Sequence, residues 1–336
     1  MRIRRESVNV DGASQLSTER QIVSELNFDG ILPANVTPFT SAGDIDYDSL
    51  ARQAQWLASV EGVKGIVCNG HAGEGLSLTT DERNDVIRAL VDAVEGRVPI
   101  IAGIGGEGSK VAAVEATEAA AAGAEAVLLY PSHGWLRFGF QPGAPQDRYR
   151  IVAEESGLPQ VLFIYPDVTA ATYNLDTILE LCSFDSVVAM KNGVRNMRRW
   201  DTEIPVVRDQ YPDVKVMTCH DEYLFHTMFD VDGALVGYGS LAPEPLYEML
   251  TRAKARDYAG ARAVHDKLLP LTKAVYHRGS HMEGSVALKH GLVARGVIAT
   301  ADVRSPLLPL PEGAEEEVVS ALRFAGLGAA KVPELV

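Results

Sequence analysis

Cysteine is scarce: Cys68, Cys182 and Cys219 are the only three in 336 residues, widely spaced and without a C-x-x-C pair. That excludes a disulfide-stapled scaffold and reads as reduced core thiols of a cytoplasmic protein. Long apolar runs are also missing. None approaches the roughly 20 residues that cross a bilayer, so no membrane span is expected. Residues 1–27 mix arginine, glutamate and serine around no apolar segment, which is not the composition of a signal peptide. They read as an N-terminal arm, loose or crossing to a neighbouring subunit. Positive charge is in deficit, 31 Lys and Arg against 45 Asp and Glu, a net charge of −14. Nucleic acid and anionic membrane are therefore poor partners. A small anionic metabolite is not excluded, because a few cations focused in one pocket suffice to hold it.

Hydrophobic residues make up 46% of the chain, ample for a large core. Short apolar runs alternate with amphipathic stretches. Strands are expected at Ile31–Val36, Gly65–Asn69, Pro99–Gly103, Ala126–Tyr130, Gln160–Tyr165, Ser186–Lys191, Val214–Cys219 and Ala234–Gly237. Helical patterns lie between them, among them Tyr47–Val60, Thr80–Val94 and Ser109–Ala122, the last with Ser109 as N-cap. Strand starts recur about every 20 to 35 residues, the size of a βα unit. Eight such units predict an α/β fold, a closed (β/α)8 TIM barrel over residues 28–245, in preference to an open doubly wound sheet. Beyond it the strands stop. Leu246–Tyr258, Ala261–Tyr276, Ser280–Arg295 and Gly313–Phe324 read as helices of a C-terminal helical region over residues 246–336.

In such a barrel, residues at the C-terminal strand ends face the reaction site. Of nine lysines only Lys191 ends a strand, closing the run Ser186-Val187-Val188-Ala189-Met190. An amine held against an apolar wall loses proton affinity and becomes a nucleophile toward carbonyls. A lysine that simply leaves the barrel for solvent would have the same spacing. Tyr165 closes Val161-Leu162-Phe163-Ile164 in the same way. Alone it reads equally well as a packing aromatic; beside Lys191 it reads as a proton carrier for Schiff-base chemistry. The second strand runs into Asn69-Gly70-His71-Ala72-Gly73-Glu74-Gly75, where Gly70, Ala72 and Gly73 expose backbone N–H groups suited to a carboxylate.

The glycine-rich loop with Gly73-Glu74, strand-ending Tyr165, Lys191 followed by Gly193, and Asp232-Gly233-Ala234 give the chain its resemblance to a known family. It resembles the dihydrodipicolinate synthase / N-acetylneuraminate lyase family of class I aldolases and dehydratases, over about residues 28–326. Val303-Arg304-Ser305-Pro306-Leu307 is similar to that family's C-terminal region. The resemblance implies a homo-oligomer (a tetramer or a dimer) and a lysine imine with pyruvate or another 2-oxo acid. It implies no metal or organic cofactor, since the lysine carries the electrophilic chemistry. His220 and Tyr238 match family positions that line the 2-oxo acid site.

Departures from the family pattern are chemically specific. Its loop reads Gly-Thr/Ser-Thr-Gly-Glu, the first hydroxyl relaying protons to the tyrosine and the second holding the carboxylate; here they are His71 and Ala72. The tyrosine after strand four is His133, and His71 with His133 is the proposed relay around Tyr165. The arginine that takes a second carboxylate corresponds to Ala170, which argues against lysine biosynthesis. Arg137 is a candidate replacement or a solvent-facing loop residue, and Trp135, Phe138 and Phe140 are candidates for an apolar acceptor pocket or an interface. The expectation is a Schiff-base lyase, aldolase or dehydratase, acting on a 2-oxo acid, distinct from a true dihydrodipicolinate synthase. Two alternatives stand beside it: a non-catalytic 2-oxo acid binder, and a metal-dependent aldolase using His71, His133 and His220 with Asp221 and Glu222.

Overall fold

The computed structural model describes residues 26–333, so the arm expected over residues 1–27 lies almost wholly outside the described residues. Eight parallel strands form one sheet: β1 (Ile31–Pro33), β2 (Ile66–Cys68), β3 (Ile100–Ile104), β4 (Ala126–Leu129), β5 (Gln160–Ile164), β6 (Val187–Asn192), β7 (Lys215–Thr218) and β8 (Gly233–Val236). Ladders run in the order β1-β8-β7-β6-β5-β4-β3-β2. Isolated bridges Ile31–Val63 and Ala34–Val67 stitch β1 to β2. All eight expected strands are present, and the closed alternative holds over the open sheet.

Period-2 alternation divides the strand residues between two cores. Leu32, Val67, Ile101, Leu128, Val161, Ala189, Met217 and Leu235 fill the barrel lumen. Ile31, Ile66, Ile100, Val127, Leu162, Met190, Val216 and Ala234 face outward against the helices.

The surrounding helices are α1 (Tyr47–Ser59), α2 (Thr80–Val94), α3 (Ser109–Ala121), α4 (His133–Phe138), α5 (Ala144–Ser156), α6 (Leu175–Cys182), α7 (Met197–Gln210), α8 (Leu224–Thr227) and α9 (Pro243–Lys254). Helix α2 shows how local chemistry sets an element. Thr79 and Glu82 form a reciprocal capping box; Val86, Ile87, Leu90, Ala93 and Val94 give the buried stripe; Glu95 in the left-handed region ends it. Helix α3 begins one residue earlier in register than expected. Gly108 is its N-cap and Ser109 its first helical residue, so no side chain caps it. Helix α4 was expected as loop; it is a single short turn region whose first N–H groups are taken by a carboxylate, described below.

Helices α10 (Tyr258–Tyr276), α11 (Glu283–Ala294) and α12 (Ala314–Phe324) follow. Helix α9 packs on β1, so a boundary at 245/246 cuts through the barrel's own eighth helix. Arg295, 4% exposed, ties the C-terminal helices to the barrel through Leu241 O at 2.5 Å and Glu244 at 3.0 Å. No helix among the described residues is long and apolar enough to cross a membrane.

Candidate active site

Lys191 faces the lumen because it continues the inward series from Ala189. Its β5 neighbour in register is Phe163, two residues after inward Val161, and Tyr165 follows at the next inward position. The Lys191 ammonium lies 4.2 Å from the centroid of the Phe163 ring, and only 8% of the residue is exposed. Phe163 in turn packs edge-to-face on Tyr165, ring centroids 4.7 Å apart. These side chains border a cavity of ≈ 560 Å³ at the C-terminal end of the barrel.

His71 enters the same cavity from the loop after β2. Its Nε2 accepts from the Tyr165 hydroxyl at 3.3 Å, and its ring stacks on Tyr130 with centroids 5.0 Å apart. Burial, then the charges of Lys191, His133 and His281, pulls His71 down to about 4. It is therefore neutral near pH 7 and available as a proton acceptor. Burial pushes the Tyr165 phenol up, so the free phenol is protonated. His133 stands one ring further out, 6.3 Å from His71 centroid to centroid. Its Nδ1 lies 3.9 Å from Glu107, while Nε2 is buried without a hydrogen-bond partner among the described residues. Glu107 accepts from the N–H groups of His133 at 2.8 Å and Gly134 at 2.7 Å, and from the Ser132 hydroxyl at 2.6 Å. That carboxylate fixes the start of α4 and the approach of His133.

The loop itself is held from outside. Thr37 donates to Gly73 O at 2.7 Å, and the N–H groups of Glu74 and Gly75 close turns onto His71 O and Gly70 O. The N–H groups of His71, Ala72 and Gly73 make no hydrogen bond among the described residues. Gly70 and Ala72 border the cavity; Gly73 lies behind them against Asn35.

Three expected binding residues stand elsewhere. His220 and Tyr238 occupy outward strand-end positions, one residue past inward Cys219 and Gly237. His220 is wholly buried outside the lumen, its Nε2–H donating to Val194 O and its Nδ1 accepting from Thr218 at 3.1 Å. The Tyr238 ring packs toward α10, its hydroxyl 3.5 Å from Leu268 O. Arg137 is exposed on α4, its guanidinium over Phe138 at 5.1 Å. Trp135, Phe138 and Phe140 do not line the cavity either: Trp135 and Phe140 pack on one another at 5.2 Å and Phe138 is 79% exposed. With His220 turned away, the three histidines do not converge. No group of three or more His, Cys, Asp or Glu among the described residues is placed to hold a metal ion.

Arg195, Tyr276, His281, Met282 and Ser285 also border the cavity, together with Asp221 and Glu222, which the sequence offered only as metal ligands. Arg195, four residues after Lys191, reaches the far end and spends its donors on Glu222 at 3.0 Å, Gly193 O at 2.8 Å and Cys219 O at 3.2 Å. Burial opposes the charge of Glu222, but Arg195 brings that carboxyl below its ordinary value. Asp221 is buried, accepts the Tyr238 N–H at 2.8 Å, and is pushed up by that burial. Tyr276, His281, Met282 and Ser285 come from α10, α11 and the turn between them. The loop rule for barrels would have flagged Arg195; nothing local in the sequence marks Tyr276 or His281. The run Gly103–Gly108 has the G-x-G-x-x-G spacing of a dinucleotide turn, a weak signal alone. Here Gly103 gives room to Asn69 O and the Tyr130 hydroxyl, each 2.8 Å from where a Cβ would stand.

A barrel whose lumen ends in a buried lysine, a phenol and a proton acceptor defines a class I, Schiff-base-forming lyase. The sequence model of the dihydrodipicolinate synthetase family matches residues 27–325. The chain belongs to that family. It is 32% identical over 292 residues to a 4-hydroxy-tetrahydrodipicolinate synthase of Haloarcula marismortui, covering 86% of this chain and 91% of the relative. A protein of the same name from Psychrobacter is 30% identical over 300 residues, covering 89% and 95%. Among solved structures, a chloride-inhibited dihydrodipicolinate synthase from Acinetobacter baumannii, complexed with pyruvate, superposes with a TM-score of 0.78 at 26% identity, covering 89% of this chain and 99% of that one.

Proposed function

We propose that the protein forms a lysine imine with pyruvate or a substituted 2-oxo acid and uses it to cleave or form a C3–C4 bond, or to expel a C4 hydroxyl. One observation supports this above the others: Lys191 lies against Phe163 in the lumen and borders the same cavity as the hydrogen-bonded pair Tyr165 and His71, one inward position further on. In the proposed sequence the Lys191 amine adds to C2, and Tyr165 carries the proton to the carbinolamine oxygen, which leaves as water. His71 takes and returns the Tyr165 proton, doing what a loop hydroxyl does elsewhere in the family, and His133 passes it outward. The iminium then accepts the electron pair of the breaking C3–C4 bond, or of a C3–H bond whose loss expels the C4 hydroxyl. The N–H groups of His71 and Ala72 hold the C1 carboxylate.

The far end of the cavity supports an uncharged acceptor. Val168 and Met282 are apolar, Arg195 is already spent on Glu222, and the Glu222 carboxylate would repel a second one. On this reading the activity differs from that in the names of its relatives. We further propose that it acts in the cytoplasm as a homo-oligomer.

Incubation with pyruvate and borohydride, read by intact mass, tests the imine. The wild type should gain a reduced pyruvyl adduct and Lys191→Ala should not. If Lys191→Ala keeps turnover on a substrate of the wild type, the Schiff-base reading is refuted. Competing aldehydes with and without a carboxylate then test the acceptor, and a preference for the carboxylate form would overturn that part.

A further inference from the structure

Ala72 leaves the carboxylate cradle short of one hydroxyl relative to the family loop, and the cavity holds an unused one. Tyr276, near the C-terminus of α10, is 9% exposed and borders the cavity, and its hydroxyl lies beside the Asp221 carboxyl without completing a hydrogen bond of full geometry. A buried donor without a well-aligned acceptor costs about 1–3 kcal/mol, so an acceptor better placed than Asp221 is expected. Its position identifies that group. A Cβ added to Gly237 would stand 3.0 Å from the Tyr276 hydroxyl, 3.3 Å from Leu288 and 3.4 Å from the Ala72 methyl. The hydroxyl and Ala72 therefore flank one small space, kept open by the missing side chain of Gly237. The unbonded N–H groups of His71, Ala72 and Gly73 belong to the loop on the other side of that space. Burial, reinforced by nearby Asp221, keeps the phenol protonated and hence a donor.

We propose that Tyr276 donates its hydroxyl to the C1 carboxylate of the bound 2-oxo acid, replacing from the C-terminal helices the loop hydroxyl that Ala72 lacks. This rests on the Schiff-base reading above. The chemistry is plain: one neutral O–H donor to one carboxylate oxygen, with no proton transferred.

Tyr276→Phe removes that oxygen and leaves the ring on its neighbours, Tyr238 at 5.7 Å and His281 at 5.5 Å. The experiment titrates pyruvate against the initial rate of borohydride trapping in wild type, Tyr276→Phe and Tyr276→Phe/Ala72→Ser. Half-saturating pyruvate should rise about 10- to 100-fold in Tyr276→Phe, the size of a lost hydrogen bond to a charged group. The plateau should be unchanged, and Ala72→Ser should restore most of the affinity by supplying the hydroxyl from the loop. Half-saturation within about twofold of wild type overturns the proposal. So does a lost plateau at unchanged half-saturation, which would mean Tyr276 serves Asp221 or the fold. A wild type that forms no adduct with pyruvate or with any of a panel of substituted 2-oxo acids refutes the lyase reading itself, and this inference with it.

Discussion

Lys289→Met tests whether the C-terminal helices hold the active-site loop. The Lys289 ammonium and the Glu74 carboxylate form an ion pair whose side chains are both fully buried. Lys289 also donates to Asp302 O at 2.7 Å, and the other Glu74 oxygen accepts the Arg304 N–H at 2.9 Å. Removing one member of a buried pair costs about 3–5 kcal/mol, because the other charge is left uncompensated. Over roughly 300 residues at about 2.1 cal/mol/K each, 1 kcal/mol moves Tm by about 1.6 °C, so the variant should melt about 5–8 °C lower. Glu74→Gln/Lys289→Met removes both charges and should recover most of that loss. Turnover should fall further than stability predicts, since the Glu74 N–H closes the turn on His71 O at 3.1 Å. Borohydride trapping at Lys191 should survive. A Tm within about 1 °C of wild type for Lys289→Met, or a double variant as unstable as the single one, would refute the reasoning.

Two further outcomes follow from the buried polar groups. Burial pulls both His71 and His220 down to about 4, so each binds its proton more readily when unfolded, where the ordinary value is near 6.5. Their contribution is complete above about pH 6.5 and is lost as pH falls toward 4, up to about 3 kcal/mol each. Tm measured from pH 7 to 4.5 should fall, and His220→Gln should flatten the fall; an unchanged slope in that variant would show that His220 is not held neutral. Tyr165→Phe should lower turnover by about 10²- to 10⁴-fold, the usual weight of a positioned proton carrier, while Lys191 remains trappable at longer times. Turnover within tenfold of wild type would pass the proton role to another group.

Strand periodicity made the barrel legible, and the site was legible wherever the same periodicity applied. Lys191 and Tyr165 stand at inward positions, two residues beyond inward Ala189 and Phe163. The same count, carried over the next two strands, places Cys219 and Gly237 inward and turns His220 and Tyr238 out. Those two were assigned to the lumen by family position, and alternation overrides that assignment. For Arg137 and the aromatics beside it the sequence left two readings open, and the fold selects between them for Arg137: α4 is helical, and its turn carries Arg137 and Phe138 to solvent. Tyr276 and His281 could not be found from the sequence. Their place in the cavity depends on how α10 and α11 pack across the barrel mouth, which no local pattern encodes.

That packing changes what the C-terminal helices are for. A bare barrel would carry Lys191 and Tyr165, since both are fixed by strands. It would not carry a defined loop after β2. Glu74 adopts the left-handed conformation, φ 52°, which needs external support in a non-glycine residue, and that support comes from Lys289 and Arg304. Arg304 also pairs with Glu82 at 2.6 Å and reaches Ser77 O at 3.4 Å, so the segment after α11 grips the C-terminal side of the loop. The barrel lumen thus supplies the electrophile and the proton carrier, while the C-terminal helices set the geometry of the relay and wall off the carboxylate cradle. Acceptor preference and turnover should therefore respond to changes along α10 and α11, and the ability to form an imine should depend mainly on the strands.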